Sequence, residues 1–258
     1  MSEQQLSSAE RQRLLLEIAR SQGRVRVIEA ATELHVTPET IRKDLNALQE
    51  SGFIRRVHGG GVLVESLAFE PRLAARTEQI EQKRQIAKSA VSELPSNGVI
   101  FIESGSTTQL LAELIPADRS LVVITNSLPT AIQLSSRPNL TLVTLGGRVR
   151  SVTLGTVDGL AIRNLSEMNV DVAFLGTNAL SIERGLTTPD IGEAEMKRAA
   201  LSCARRRVLL ADSSKLDQVS FFRYGDLNDI ELLITDSAVS PELETALNQT
   251  IDEVRVAS

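Results

Sequence analysis

Apolar residues in the first fifty positions recur with the spacing of α-helices, and residues that begin or end helices interrupt them. Ser7 and Glu10 have the spacing of a capping box, which predicts the start of a first helix, and Gly23 is placed to end it. A second, shorter helix is predicted over residues 27–34, with its alanines and Leu34 turned inward. The pattern therefore predicts two helices before residue 35.

A third helix begins at Thr37, whose hydroxyl can cap it, and Pro38 suits the first helical position because no amide is needed there. Ile41, Leu45 and Leu48 fall on one face of this helix and can pack inward. The outward residues are a mixture suited to phosphate oxygens and base edges. With Thr37, they are the candidate DNA contacts of this helix: Thr40, Arg42, Lys43 and Asn46.

The turn into the third helix contains His35, where many such turns have a glycine. The two helices around it form a predicted helix-turn-helix, whose second helix would lie in the major groove of DNA. Gly52 ends that helix, and residues 53–64 are typical of two short strands around a glycine turn, which is a wing. The wing adds three candidate contacts to the DNA backbone or minor groove: Arg55, Arg56 and His58.

The pattern changes after residues 65–71, which break the periodicity. A long helix is predicted over residues 73–94, and short apolar strands then alternate with helices. Strands are predicted over residues 99–102, 121–124, 140–145, 170–175, 208–211 and 232–235. Helices are predicted over residues 108–114, 128–134 and 192–204. This alternation predicts an α/β domain with a mostly parallel, Rossmann-like sheet.

Polar residues follow these strands, and ligands bind parallel α/β sheets outside the carboxyl ends of the strands. Small hydroxyl residues and a glycine before a helix can hold an anion with backbone amides, which suits a phosphate. Each cluster alone is more typical of a helix cap or a tight turn, and only their convergence predicts a ligand site. The candidates are Glu103, Ser104, Gly105, Ser106, Thr107, Thr108, Thr125, Asn126, Ser127, Gly146, Gly147, Arg148, Gly176, Thr177, Asn178, Asp212 and Lys215.

Composition narrows the class of protein. The 258 residues suit one or two domains, and a single cysteine excludes an intrachain disulfide, which fits a reducing cytoplasm. No apolar run approaches the roughly 20 residues that a membrane helix needs. The net charge of −5 is unevenly spread, because residues 1–62 carry nine basic and eight acidic side chains. DNA binding needs a local positive surface rather than a basic chain, so the acidic remainder does not exclude it.

Two runs in the first 62 residues resemble the N-terminal module of the DeoR family of bacterial transcriptional regulators. They are Thr-Ile-Arg-Lys-Asp-Leu at residues 40–45 and Ile-Arg-Arg-Val-His-Gly-Gly at residues 54–60. Later segments resemble the effector domain of that family, which is similar in fold to ribose-5-phosphate isomerase. They include Glu-Ser-Gly-Ser-Thr-Thr, Gly-Leu-Thr-Thr-Pro-Asp, Glu-Ala-Glu-Met-Lys-Arg and Leu-Leu-Ala-Asp-Ser-Ser-Lys. The resemblance covers nearly the whole chain.

The resemblance implies that residues 104–108 hold a phosphate and that Lys197, Asp212 and Lys215 line a sugar pocket. Glu103 stands where the family more often has Asp. The implied protein is a cytoplasmic homo-oligomer, a dimer or tetramer, that represses a sugar-uptake or sugar-catabolism operon. A phosphorylated sugar, with a hexose phosphate such as a fructose phosphate favoured, would release it from double-stranded operator DNA. The sequence shows no cluster of His, Cys and carboxylate side chains that would predict a metal site, and no cofactor is expected.

The domain limits expected from these patterns are residues 1–64 for the DNA-binding domain, 65–94 for a linker and long helix, and 95–258 for the effector domain. The alternative function is an active sugar-phosphate isomerase or deaminase fused to a DNA-binding head. Both histidines, His35 and His58, precede the second domain, and no motif there specifies catalysis. A non-enzymatic sensor is therefore the favoured interpretation. A plain architectural DNA binder would leave the polar strand ends unexplained.

Overall fold

A computed structural model of the chain describes residues 6–63, 67, 70–73, 76 and 78–258, except for the side chain of Arg20. The chain divides into two compact units, Met1–Ala75 and Arg76–Ser258. Each unit has its own hydrophobic core in the described residues. The domain limits expected at residues 64 and 94 stay a prediction.

The first unit is a winged helix-turn-helix. Its helices and strands are α1 (Ser8–Gln22), β1 (Arg24–Arg26), α2 (Val27–Glu33), α3 (Pro38–Glu50), β2 (Ile54–Val57) and β3 (Gly60–Leu63). The predicted caps are confirmed. Ser7 and Glu10 form the capping box of α1, Gly23 ends that helix in the left-handed conformation, and Thr37 accepts a hydrogen bond from the Thr40 amide at 3.2 Å. Local side-chain chemistry therefore fixes where these helices begin.

The wing is a three-stranded antiparallel sheet in the order β1-β3-β2, and β1 is a strand that the sequence did not predict. Gly60 lies so close to β1 that a Cβ atom there would stand 1.9 Å from the carbonyl oxygen of Val25. A Cβ atom on Gly61 would stand 2.4 Å from the Ile54 side chain. Glycine is thus favoured at these two positions of β3, because a side chain would collide with the β1 backbone at Gly60 and with Ile54 at Gly61.

The second unit is an α/β layer structure. Its strands are β4 (Asn97–Ile102), β5 (Ser120–Thr125), β6 (Leu140–Thr144), β7 (Val149–Arg150), β8 (Gly155–Thr156), β9 (Val170–Gly176), β10 (Ala179–Ser181), β11 (Gly185–Thr188), β12 (Ala204–Leu210), β13 (Phe222–Gly225), β14 (Leu232–Asp236) and β15 (Glu253–Ala257). Its helices are α4 (Ile80–Ala90), α5 (Ser106–Glu113), α6 (Leu128–Leu134), α7 (Gly159–Ser166), α8 (Ile191–Cys203) and α9 (Pro241–Leu247).

A seven-stranded parallel sheet in the order β15-β14-β12-β9-β4-β5-β6 forms the centre of this unit. All six predicted strands belong to it, so the parallel α/β prediction is confirmed. Hydrophobic cores cover both faces. Phe101 packs with α7 and α8 on one face, and Phe174 packs with α4 and α5 on the other. Because both faces are covered, the carboxyl edge of the strands is the place left for polar side chains.

The predicted long helix over residues 73–94 is wrong in its length. Helix α4 begins only at Ile80, after Gln79 adopts the left-handed conformation with φ 56°, and a 3₁₀ turn follows it at Val91–Glu93. The backbone oxygens of Arg76 and Glu78 accept hydrogen bonds from the side chain of Lys83. Hydrophobic spacing did not reveal where the helix begins, because contacts of a lysine side chain with backbone oxygens leave no apolar periodicity in the sequence.

No helix in the described part of the chain is long and apolar enough to cross a membrane.

Candidate DNA-recognition surface and effector site

The candidate DNA contacts of α3 lie on its outward side. Arg42, Lys43 and Asn46 are exposed, and Thr37 is exposed at the start of the helix. Thr40 is half-buried, with its Oγ1 2.9 Å from that of Thr37. The first turn of α3 therefore presents hydroxyl groups and the following turns present basic and amide groups, which is the mixture that base edges and phosphates require.

A buried ion pair fixes α3 against α1. Asp44 is 3% exposed, and its carboxylate accepts from Arg11 Nε at 2.7 Å and Nη2 at 3.3 Å. Ser8 Oγ donates to the same carboxylate at 2.9 Å. The sequence analysis quoted Asp44 within the family motif without a role, and its spacing from Arg11 gives no signal. In the structure this carboxylate links α3 to α1 beside the apolar contacts of α3.

Arg56 of the wing reaches back to α3. Its Nη1 donates to Asn46 Oδ1 at 2.8 Å and to the backbone oxygen of Arg42 at 3.2 Å, and its Nε donates to Gly60 O at 3.0 Å. The other two wing candidates, Arg55 and His58, are exposed. Arg56 thus connects wing and helix, while Arg55 and His58 are the wing side chains turned to solvent.

The turn before α3 has a histidine, His35, where many such turns have a glycine. His35 has a φ of 51°, a left-handed conformation that a non-glycine residue adopts at a cost of about 1–2 kcal/mol. This explains why a glycine is common at this turn. Packed residues on both sides of His35 hold this backbone conformation, since Ala31 and Ile41 are buried and Val36 packs on the same core.

In the second unit, the carboxyl ends of β4 and β9 meet at a buried ion pair. Glu103 is fully buried, and Lys197 of α8 donates from Nζ to its two carboxylate oxygens at 2.6 and 2.7 Å. Lys197 Nζ also donates to Gly176 O at 2.8 Å, and the Gly176 amide donates to Glu103 at 2.9 Å. Burial is the largest single influence on Lys197 and disfavours its charged form, but the Glu103 carboxylate and its hydrogen bond, together with contributions from Tyr224 and Glu193, raise the pKa of the lysine. The three ammonium protons are all engaged within the protein.

A second network joins β4 and β5. The Ser104 amide donates to Asn126 Oδ1 at 2.8 Å, and Asn126 Nδ2 donates to Thr156 O in β8 at 3.2 Å. Gly155 lies against Ser104, since a Cβ atom there would stand 2.5 Å from Ser104 Oγ. The buried Ser104 hydroxyl has no hydrogen-bond partner within the described residues. The hairpin of β7 and β8 therefore crosses directly over the ends of these strands.

The first turn of α5 provides amides without a side-chain cap, because Gly105 stands at the cap position. Thr108 Oγ1 donates to the backbone oxygens of Glu103 at 2.7 Å and Gly105 at 3.0 Å, which holds the preceding loop in place. Ser106 is half-buried, whereas the other residues of this loop and turn, from Glu103 to Thr108, are buried. An anion would reach the amides of the turn beside Ser106.

Most of the remaining candidates make hydrogen bonds within the protein at or near the strand ends. Thr125 Oγ1 donates to Ile102 O at 2.6 Å, and Ser127 caps α6 through the Thr130 amide. Thr177 Oγ1 donates to Ala179 O at 2.9 Å. Asn178 Oδ1 accepts a hydrogen bond from Thr188 Oγ1 at 2.9 Å, and the Ser214 amide donates to Asp212 Oδ1 at 3.2 Å. Asp212 is buried and Lys215 is half-buried.

Gly146, Gly147 and Arg148 are exposed. The Arg148 amide donates to Asp158 Oδ2 at 2.8 Å, and a Cβ atom on Gly147 would stand 2.3 Å from Asp158 Oδ1. Backbone hydrogen bonds, from Arg148 above all, lower the pKa of Asp158. Gly147 thus lies against the residue that caps α7, and the predicted role of Gly146, Gly147 and Arg148 in ligand binding stays a prediction.

The sequence analysis missed a cluster that holds the β7–β8 hairpin onto α8. Thr153 Oγ1 donates to Glu193 Oε1 at 2.6 Å, and both side chains are buried. Arg150 Nε lies 3.2 Å from Asp190 Oδ2, at the cap of α8. The hairpin is too short to show strand periodicity, so no signal in the sequence revealed it.

The described residues contain no group of three or more His, Cys, Asp or Glu side chains that could hold a metal ion.

The chain joins a winged helix-turn-helix unit to an α/β unit with polar strand ends. This arrangement defines a class of transcriptional regulators that carry a DNA-binding domain and a ligand-sensing domain in one polypeptide. Residues 11–67 match the family model described as the DeoR-like helix-turn-helix domain. Residues 78–237 match the model described as the DeoR C terminal sensor domain. The chain belongs to the DeoR family of transcriptional regulators.

Named relatives match over nearly the whole chain. The HTH-type transcriptional regulator GlpR of Haloferax volcanii is 38% identical, over 95% of this chain and 98% of that protein. The regulator GolR of Listeria innocua is 34% identical, over 91% and 92%. The glycerol-3-phosphate regulon repressor of Escherichia coli K12 is 28% identical, over 90% and 92%.

Among solved structures, ribose 5-phosphate isomerase A of Methanocaldococcus jannaschii is similar with a TM-score of 0.40 and 23% identity. The match covers 54% of this chain and 55% of that one.

Proposed function

We propose that the chain is a repressor of an operon for sugar or polyol phosphate use, released from its operator by a phosphorylated metabolite. The observation that carries the proposal is the first turn of α5, which has no side-chain cap and begins at Gly105. Such amides favour an anion, because the helix dipole and the N–H groups both point toward it. The buried hydroxyl of Ser104, which lacks a partner within the described residues, adds a donor beside this loop.

The chemical class of the effector follows from this geometry and from the relatives. An uncapped helix start binds the phosphate, and the strand ends offer amide, hydroxyl and carboxylate groups for sugar hydroxyls. The repressor of Escherichia coli is named for glycerol 3-phosphate, and the chain resembles the hexose-phosphate branch of the family in its Gly-Thr-Asn segment. The effector we propose is a phosphorylated sugar or polyol of three to six carbons, with fructose phosphates first among the hexoses.

The repressor would act as a homo-oligomer, a dimer or tetramer, that sets two helix-turn-helix units at the spacing of two half-sites. The effector would shift DNA binding only by the difference in its affinity for two states of the protein, typically about 1–3 kcal/mol. Because Lys197 is fully paired with Glu103 and Gly176, we expect it to support the pocket rather than to bind the phosphate itself.

A thermal-shift screen tests the proposal. Fructose 1-phosphate, fructose 6-phosphate and glycerol 3-phosphate are compared with fructose and glycerol, since a ligand that binds only the folded protein raises its melting temperature. We expect a shift with at least one phosphorylated compound and none with its unphosphorylated partner. Equal shifts, or none, would reject the phosphate site. Turnover of the same compounds would reveal an isomerase, which the proposal excludes.

The Ser106→Asp variant tests the proposed anion site directly. A carboxylate in the first turn of α5 can itself satisfy the amides, and it repels a phosphate. We expect the variant to bind operator DNA as the unsubstituted chain does and to lose the thermal shift. Ser135→Asp, in an exposed position at the end of α6, is the matched control and should keep it.

A further inference from the structure

The wing sheet concentrates the positive charge of the first unit. As the structure describes them, strands β1, β2 and β3 contain four arginines and no acidic residue. Residues 1–62 as a whole carry nine basic and eight acidic side chains, so their charges nearly cancel. A nearly neutral unit therefore contains a strongly basic sheet, and local positive charge of this kind is what a polyanion recognises.

The alternation of side chains along the strands places three of the four arginines on one face. The inner face carries Val25 and Ile54, which are buried, and Arg56, which reaches Asn46 of α3. The other three arginines have the opposite parity and are exposed on the second face, here called the outer wing face: Arg24, Arg26 and Arg55. Only Arg55 is among the DNA contacts predicted from the sequence, because β1 was not predicted.

The register of the sheet brings these arginines together. Arg24 and Arg55 are both paired with Val62, so they stand on either side of it in one row. Arg26 lies in the next row, opposite Gly60. From the spacing of strands and of alternate residues, the backbone of Arg24 is about 10 Å from that of Arg55 and about 7 Å from that of Arg26. One stretch of nucleic-acid backbone can therefore contact all three guanidinium groups.

The outer wing face adjoins the predicted DNA-contacting surface. The amide of Val27, the residue after Arg26, donates to the backbone oxygen of Gly59 in the wing turn at 2.9 Å. His58, the exposed candidate contact of that turn, directly precedes Gly59. Arg26 therefore lies beside the tip of the wing. A duplex in contact with α3 and His58 would meet Arg26 next, and the other two arginines two residues further from the tip.

Protection of the sheet edges is the other role that such charges have. Strands β1 and β2 are the two edges of the wing sheet, and charged side chains on edge strands prevent pairing with foreign strands. Strand β15, an edge of the large sheet, shows that this role does not require a single sign of charge. It carries Glu253 and Arg255, whose side chains pair at 2.6 Å. Arginine alone, on both edges of the wing, favours a polyanionic partner.

The one acidic contact recorded for these arginines is readily replaced. Arg26 Nη1 lies 2.6 Å from Glu29 Oε1, and about half of each side chain is exposed to solvent. An exposed pair of this kind contributes little to stability, so a phosphate can replace the carboxylate.

We propose that Arg24 and Arg26 of β1 contact the DNA backbone and form, with Arg55, a phosphate-binding surface on the outer wing face. The proposal requires DNA binding, which is a property of the family, and is independent of the effector. Phosphate contacts position a protein on the duplex without reading its sequence. This surface therefore adds affinity and salt dependence on every sequence and extends the contact beyond α3 and the wing turn.

The test compares Arg24→Gln and Arg26→Gln, made singly in the full-length protein, with Arg13→Gln. Arg13 is the matched control, because it is an exposed arginine of the same unit that lies 3.8 Å from an exposed carboxylate, that of Glu17. Affinity is measured by fluorescence anisotropy over a range of KCl concentrations. The probes are a labelled random-sequence duplex and a duplex that the unsubstituted protein selects from a random library.

We expect each substitution in β1 to reduce the slope of log affinity against log salt by about one on both duplexes, as the loss of one phosphate contact requires. The ratio of the two affinities should stay unchanged, and Arg13→Gln should keep the slope of the unsubstituted protein. A slope equal to that of the control for either arginine would overturn the proposal. A loss confined to the selected duplex would also overturn it, because it would indicate a base contact.

Two further measurements separate the proposal from edge protection. Arg24→Lys and Arg26→Lys keep the charge and should keep most of the salt slope, which shows that charge is the property required. Light scattering measures the size of each variant, and its melting temperature shows that it is folded. Glutamine variants that associate into larger species, yet bind DNA with the slope of the unsubstituted protein, would assign these arginines to edge protection and reject the phosphate surface.

Discussion

Glu103 accepts both short hydrogen bonds of the Lys197 ammonium, at 2.6 and 2.7 Å, in a position closed to solvent. Removing one partner of a buried pair leaves the other charge uncompensated, at a cost of about 3–5 kcal/mol. We therefore expect Glu103→Gln to lower the free energy of unfolding of the sensor unit by several kcal/mol, measured by urea denaturation. Glu195→Gln, which breaks the exposed pair with Arg198 on the same helix, should change it by less than about 1 kcal/mol. Equal effects would contradict the burial of the first pair.

Lys83 gives stability a defined pH dependence. Burial lowers the pKa of Lys83 in the folded protein to about 8, below the ordinary lysine value of 10.5. Above pH 8 the unfolded chain therefore binds more protons at this site, and the lysine's contribution to stability rises until about pH 10.5. The difference in unfolding free energy between the unsubstituted protein and Lys83→Met should change by up to about 3 kcal/mol over this range, since one pKa unit corresponds to about 1.4 kcal/mol. Urea denaturation at several pH values measures it; a difference constant with pH would show that the amine is solvated.

Arg42 and Arg55 should affect DNA binding in different ways. Arg42→Ala is expected to cost about 1–3 kcal/mol of specific affinity if it contacts a base edge. Arg55→Ala should weaken binding to all sequences about equally and lower the salt slope by about one, as expected for a phosphate contact. Salt titrations on specific and random DNA separate the two. Arg13→Ala, which removes an exposed partner of Glu17 on α1, serves as the control for a general change in charge; sequence-selective loss with Arg55→Ala would contradict the phosphate role.

The wing offers a prediction about two adjacent glycines. A Cβ atom on Gly60 would stand 1.9 Å from the Val25 carbonyl, so Gly60→Ala must separate β3 from β1. A Cβ atom on Gly59 would meet no atom within 4 Å, but its φ of 78° is left-handed. Gly59→Ala should therefore cost about 1–2 kcal/mol from strain alone, and Gly60→Ala should cost more. Thermal unfolding of the two variants gives the order; the reverse order would place the strands further apart than in this structure.

The sequence predicted those features that depend on local chemistry. Capping residues such as Ser7 and Thr37 act on amides three residues away, and buried strands such as β5 are continuous apolar runs, so both are visible in one segment. Strand β15 alternates charged and apolar residues at the edge of the sheet, which hides it among surface segments. Strand β1 has three residues, too few for any periodicity.

Features that join distant positions could not be predicted. Asp44 meets Arg11 across 33 residues, and Lys197 meets Glu103 across 94. The family resemblance placed Lys197 in a sugar pocket, but only the fold shows that its protons are already engaged. The sequence analysis assigned Arg56 to DNA together with Arg55 and His58, because a sequence does not show which way a charged side chain of a wing points. Its contact with Asn46 depends on the packing of the wing against α3.

The contacts of Arg56 and Asp44 have one more consequence. The recognition helix is hydrogen-bonded to the wing through Asn46 and Arg56 and to α1 through Asp44 and Arg11, all within Met1–Ala75. The predicted DNA-contacting surface is therefore held together by contacts within one unit. In the proposed homo-oligomer, an effector would act by changing how two such surfaces are spaced relative to the helical repeat of the duplex, rather than by deforming either one.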